Sequence, residues 1–130
     1  MPLHPEIRER IFRKLRAGLK NQCPPMVCSR DEKGCYEIIG NKPVPYGSTG
    51  KIVPGMAFAS VVPRKDMVSF YVMPVAYGRK EFEDVAPGLL KCLKGKSCFN
   101  FKMEDEIDSK ELDALLGRGV TIWKKLGYMR

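Results

Sequence analysis

The chain has 130 residues, of which 44% are hydrophobic and 29% charged, and carries a net charge of +8. That is one domain's length and too apolar for a disordered chain. Met67 to Gly78, which no uncharged run exceeds in length, is broken by Ser69 and Pro74 and is too short to cross a membrane.

A single domain over residues 1–130 is therefore expected. The charged residues that follow Met1-Pro-Leu-His-Pro-Glu argue against a secretion signal. Five cysteines (Cys23, Cys28, Cys35, Cys92, Cys98) are an odd number, which points to free thiols and a reducing cytoplasm. Zinc is not expected. Four residues with two prolines separate Cys23 from Cys28, six separate Cys28 from Cys35, and the lone histidine, His4, is remote. Cys92 and Cys98 lie among Leu and Phe and read as small buried thiols.

Residues 5–20 read as a helix, with Ile7, Ile11, Leu15 and Leu19 recurring every four residues and Phe12 widening the stripe. Arg10, Arg13, Arg16 and Lys20 fall on the other side. The charge is concentrated here: residues 1–30 hold seven Lys or Arg against two Glu, whereas residues 104–130 hold five against six. Such a face could meet nucleic acid, but no aromatic residues are interleaved for base stacking. A solvated helix face is the expected reading and nucleic-acid association the weak alternative. The helix stops at Asn21-Gln-Cys-Pro-Pro, because a residue before proline avoids helical angles.

Tyr36 to Ile39 reads as a short strand, followed by a long loop from Gly40 to Gly50, with Ile52-Val53 as a further strand start. Met56 to Val62 and Met67 to Met73 are the clearest strands, and Pro63-Arg-Lys-Asp66 joins them as an antiparallel hairpin. Alternation places Val68, Phe70 and Val72 on one face and Met67, Ser69, Tyr71 and Met73 on the other; Ala57, Ala59 and Val61 alternate with Met56, Phe58, Ser60 and Val62. Both faces are apolar enough to suggest helices over one side and a partly open second side. Residues 79–86 and 88–94 read as short helical turns, and Ser97 to Phe101 as a last strand. Asp108-Ser-Lys-Glu111 has the form of a capping box opening the final helix, in which Glu111 would reach back to the cap. Leu112, Leu115, Leu116, Gly119, Val120, Ile122, Trp123 and Leu126 fill one arc, Glu111, Arg118 and Lys125 lie opposite, and Gly127 ends the helix.

Little reactive machinery is visible. Gly95-Lys96-Ser97 is not a nucleotide-binding loop, because position 90 is Leu where glycine is required and a helical turn stands where a strand should be. A tight turn with Lys96 and Ser97 remains a candidate for a small anion. With His4 alone, no Ser-His or Cys-His pair is expected. Glu104, Asp105, Glu106 and Asp108 form a carboxylate cluster of the kind hard cations favour. Acids at a helix start more often answer its dipole. Tyr46, Tyr71 and Tyr77, with Arg79, are the polar aromatics and cation expected at the rim of a cleft beside the sheet.

Three strings, Tyr36-Glu-Ile-Ile-Gly40, Val68-Ser-Phe-Tyr-Val-Met-Pro74 and Leu89-Leu-Lys-Cys-Leu-Lys-Gly-Lys-Ser-Cys-Phe99, resemble the YdhG-like group of small bacterial domains of unknown function. The resemblance covers roughly residues 5–127. Its most specific part is Lys94-Gly-Lys-Ser-Cys-Phe99 followed by a charged stretch and a Trp-bearing last helix. It implies an α+β fold with an antiparallel sheet packed on N- and C-terminal helices. One branch of the wider group is linked to frataxin-like iron delivery. No individual iron ligand and no catalytic residue carries over.

The expected function is a cytoplasmic, non-catalytic binding domain, monomeric or homodimeric, without a cofactor. It would hold a small ligand or a protein partner over the less covered sheet face and the 40–50 loop, with Tyr46, Ser69, Tyr71, Tyr77, Arg79, Lys96 and Ser97 as candidate contacts. The alternatives are iron binding through Glu104, Asp105, Glu106 and Asp108, and nucleic-acid association through the basic N-terminal helix.

Overall fold

A computed structural model describes residues 2–130. It opens with helix α1 (Pro5–Lys20). The His4 Nδ1 accepts from the free Glu6 amide at its start. Glu6–Arg10 and Glu9–Arg13 pair along its outer side, but exposed pairs one turn apart contribute only about 0.3–0.5 kcal/mol each. Full burial of Ile11, Leu15 and Leu19, at about 1.5–3 kcal/mol per side chain, outweighs them. Packing therefore holds α1 in place.

The main sheet is antiparallel and has six strands: β1 (Val27–Glu32), β2 (Cys35–Ile39), β5 (Ala57–Pro63), β6 (Val68–Val72), β7 (Leu93–Lys94) and β8 (Cys98–Phe101), in the order β1-β2-β5-β6-β8-β7. A separate two-stranded hairpin, β3 (Val44–Tyr46) and β4 (Lys51–Val53), interrupts the path between β2 and β5. Short 3₁₀ turns at Met73–Tyr77, Arg79–Phe82 and Glu104–Glu106 and the one-turn helix α2 (Pro87–Leu90) connect the remainder. The long helix α3 (Ser109–Lys125) completes the α+β fold. No helix among the described residues is long and apolar enough to cross a membrane.

Both long helices lie on one face of the sheet. They meet where Gly18 faces Leu112: a Cβ on Gly18 would stand 2.6 Å from Leu112 Cδ2, so a larger residue here would have to displace the Leu112 side chain. Beneath them Tyr36, Ile38, Ala59, Val61, Val68, Phe70, Val72, Phe99 and Phe101 are buried.

Alternation fails at one point in β5. Ile38 pairs with Ala59 but Ile39 pairs with Ala57, so Phe58 is an extra residue in a bulge. Its ring is carried into the core, 5.8 Å edge-on to Trp123 and against Gly119, rather than onto the face shared by Ser60 and Val62.

Several local expectations are corrected. Strand β1 has no counterpart in the hydrophobic pattern, because all six of its residues are exposed and the ladder to β2 stabilises it in place of burial. The 40–50 loop contains β3 and most of a hairpin turn, with Gly47 and Gly50 at φ +74° and +71°, values that other residues rarely adopt. Residues 93–94 are the edge strand β7 and not the end of a helical turn. Leu126 is exposed.

The capping box is only half formed. Asp108 accepts from the Lys110 and Glu111 amides, but Glu111 turns away and accepts from Gly88 and Leu89 at 2.8 and 3.1 Å. It caps α2, satisfying amides that a four-residue helix cannot satisfy itself. Arg118 reaches the same segment, bonding the Glu81 carbonyl and forking onto Asp84. The stripe opposite the α3 core face thus staples residues 79–90 to the helix.

Candidate functional site

The second face of the sheet is uncovered by helices. At one end the β3–β4 hairpin folds over it, and the local sequence explains the anchoring. Gly40 and Gly55 are buried at the hairpin's base, where a Cβ on Gly55 would run into the Gly40 carbonyl oxygen and one on Gly40 would lie 2.6 Å from the Tyr128 carbonyl oxygen. The Gly40 amide donates to the Met56 carbonyl at 2.9 Å. From the other side the chain end locks in: the Arg130 amide donates to Asn41 Oδ1 at 2.8 Å, and Met129 is buried.

The end of α3 supplies the aromatic wall. Gly127, at φ +84°, lets the Tyr128 amide donate back to the Trp123 carbonyl at 2.9 Å. This helix-terminating pattern brings the residue after the glycine against the last turn. Tyr128 accordingly lies 5.1 Å from Trp123, edge-on, with Tyr77 at 5.7 Å on the indole as well. The two phenol oxygens are 3.5 Å apart. That hydrogen bond, reinforced by burial, raises the Tyr77 hydroxyl above its ordinary pKa. The Trp123 Nε1 donates to the Met56 carbonyl at 3.4 Å.

Two hollows result, divided by Tyr46. One, about 240 Å³, lies between hairpin and sheet and is lined by Ser29, Glu37, Ile39, Val53 and Ala57. The other, about 260 Å³, runs to the aromatic wall and is lined by Met56, Ala57, Met73, Tyr77 and Trp123. Tyr46 and Ala57 border both. Tyr46 and Tyr77 are each 58% exposed, unusual for rings set against so apolar a surface.

Of the residues singled out from the sequence, Tyr46 and Tyr77 come together here. Ser69 and Tyr71 do not join them. They lie further along the open face, where Arg64 in the β5–β6 turn donates to Ser69 Oγ at 2.9 Å and to the Tyr71 hydroxyl at 2.6 Å. Lys96 and Ser97 form the β7–β8 turn, and the Ser97 carbonyl accepts from Val72 at 2.9 Å. Arg79 is exposed in its 3₁₀ turn and lines neither hollow. Sequence pattern sets Met56 and Met73 on strand faces and Trp123 in the core arc of α3, and it gives Tyr128 no role. The Gly127 stop signal already implied that Tyr128 folds back on Trp123, but nothing local brings the 73–77 turn beside them.

The four carboxylates do not converge. Glu106 accepts from the Lys102 and Met103 amides and Asp108 caps α3. Glu104 and Asp105 border an open hollow with Arg10 and Lys14. Among the described residues no three His, Cys, Asp or Glu side chains are placed to share a metal ion.

Half of the α1 cations are met locally, while among the described residues Arg8, Lys14 and Lys20 pair with no carboxylate. Arg10 and Arg13 pair with Glu6 and Glu9, and Arg16 forks onto Asp31 at 2.9 Å while lying over the Tyr36 ring. Tyr36 is buried beneath it, which drives its hydroxyl well above the usual phenol range. Burial also raises the thiols of Cys23, Cys35 and Cys92, disfavouring the nucleophilic thiolate. His4 is occupied as the α1 cap.

The chain matches no family model, no curated protein and no solved structure, so the YdhG-like resemblance rests on the residues that suggested it.

Proposed function

We propose that the protein is a non-catalytic binding module that takes a small ligand bearing a flat apolar group, held between the β3–β4 hairpin and the Trp123 wall. The observation that carries this reading is Tyr46: an exposed ring that, with Ala57, borders two apolar hollows. Each hollow exceeds the roughly 150 Å³ that holds a benzene ring in a dry cavity. Each is also smaller than the roughly 300 Å³ at which drug-sized sites begin. A one- or two-ring group therefore fits one hollow, and a larger ligand needs Tyr46 to turn aside. Methionines on the wall suit this, since Met56 and Met73 adapt their shape at low cost. The free state of all five cysteines supports a reducing, cytoplasmic setting.

Trp123 is the only tryptophan and borders the hollow, so its fluorescence reports occupancy. Titration with the neutral probe N-phenyl-1-naphthylamine is expected to quench Trp123 saturably. Tyr46→Ala should weaken that binding by about tenfold, or about 1.4 kcal/mol, while shifting folding stability by less than about 0.5 kcal/mol, as for other surface changes. Probe binding that ignores both Tyr46→Ala and Tyr77→Ala, or no saturable quenching at all, overturns the reading.

A further inference from the structure

The open sheet face carries a second arrangement, at the far end of β5 and β6 from the hairpin. Arg64 has two edges with which it can grip a planar acceptor. Its Nε–Nη2 edge is occupied by Ser69 Oγ and the Tyr71 hydroxyl, both neutral. Its outer edge, Nη1 with the remaining Nη2 hydrogen, has no protein acceptor among the described residues. Among the described residues no carboxylate pairs with it, as none does with Arg8, Arg79 or Arg130, whereas Arg10, Arg13, Arg16, Arg30 and Arg118 each have one.

The support behind Arg64 is unusually complete for a surface cation. Ser69 is only 2% exposed, and its hydroxyl donates onward to Asn100 Oδ1 at 3.1 Å, which fixes the lone pair offered to Arg64. The backbone is pinned too: the Arg64 amide donates to the Met67 carbonyl at 2.8 Å, and its carbonyl accepts from Arg8 Nη1 at 3.5 Å. We propose that this held guanidinium is a binding site for a monocarboxylate attached to an apolar body. The outer fork matches two carboxylate oxygens, and the fixed side chain lowers the ordering cost of binding.

The surroundings select the class. An exposed ion pair alone is weak, so the ligand must gain from contact with the neighbouring surface, which is Val62, Tyr71 and Asn100. Preference for such a carboxylate over inorganic phosphate comes from that apolar contact, which phosphate cannot make; the nearest carboxylate on the row Glu37–Ser60–Tyr71, Glu37, is two strands and about 10 Å from Tyr71 by strand spacing, too far to decide it.

Amide and arginine Nε resonances of the full chain, followed by NMR at constant ionic strength, test this with sodium benzoate, sodium acetate and inorganic phosphate as probes. Benzoate is expected to shift Arg64 Nε and the Ser69, Tyr71 and Asn100 amides saturably, and to bind more tightly than acetate or phosphate. Arg64→Lys keeps the charge but loses the fork and should weaken benzoate by about tenfold. Tyr71→Phe frees the side chain and should weaken it several-fold; it stands as the test if Arg64→Lys does not fold. Benzoate binding unchanged in these variants, phosphate binding as tightly as benzoate, or shifts that never saturate would each refute the site. None of these outcomes bears on the naphthylamine hollow, which uses neither residue.

Discussion

The two faces of the sheet carry similar residues and put them to different uses. Beneath α1 and α3 the rings of Phe58, Phe70, Phe99 and Phe101 are sealed from water. On the other face Tyr71 is half-buried, and beyond it Tyr46 and Tyr77 are mostly exposed. What differs is the cover. Two long amphipathic helices bury a whole face, whereas a three-residue-per-strand hairpin shelters only its own footprint. Large apolar surface left beside a small cover is where binding is expected.

Removing a ring from the sealed side should do the most damage. Phe58→Ala leaves a cavity against Trp123 and Gly119 of α3 and is expected to cost about 3–5 kcal/mol in urea denaturation. A loss below about 1 kcal/mol would mean that the bulge does not commit Phe58 to the core. Next comes the hinge of the hairpin. Gly55→Ala forces a methyl into the Gly40 carbonyl and toward Ile39, and an overpacking loss of about 1–3 kcal/mol is expected, together with weaker naphthylamine binding. Loss of stability with unchanged probe affinity would separate the hairpin from the hollow.

The smallest effect belongs to the exposed staple. Hydrogen bonding from Arg118 holds the Asp84 carboxyl below its usual range. A lowered folded-state pKa contributes stability above the unfolded carboxylate value of about 3.9, and that contribution fades as pH falls through the folded value. Asp84→Asn should therefore unfold at slightly lower urea than the natural chain at pH 7, with the gap closing below about pH 4. A gap that persists in acid would assign the effect to packing.

Much of the architecture was legible because it repeats along the chain. The stripe Ile11, Leu15, Leu19 in α1, the arc from Leu112 to Trp123 in α3, and the β5–β6 pair with its Pro63–Asp66 turn all follow from periodicity and turn chemistry. Strand β1 was not legible, since an edge strand with every residue exposed leaves no hydrophobic pattern. Glu111 was misread because its local partner and its distant one are both backbone amides, and only the arrival of Gly88 decides between them.

The candidate sites divide in the same way. Composition and spacing alone determined that the chain has an α+β core, that Tyr46 and Tyr77 are polar aromatics worth tracking, and that His4 stands alone. Tertiary structure alone decided that Tyr46 and Tyr77 share a hollow with Trp123 while Ser69 and Tyr71 belong to Arg64. The physical reason is range. Periodicity, caps and turns are interactions among residues a few positions apart. A binding surface, by contrast, is assembled from segments such as Tyr46, Met73 and Trp123, whose separation along the chain leaves no mark on the local sequence.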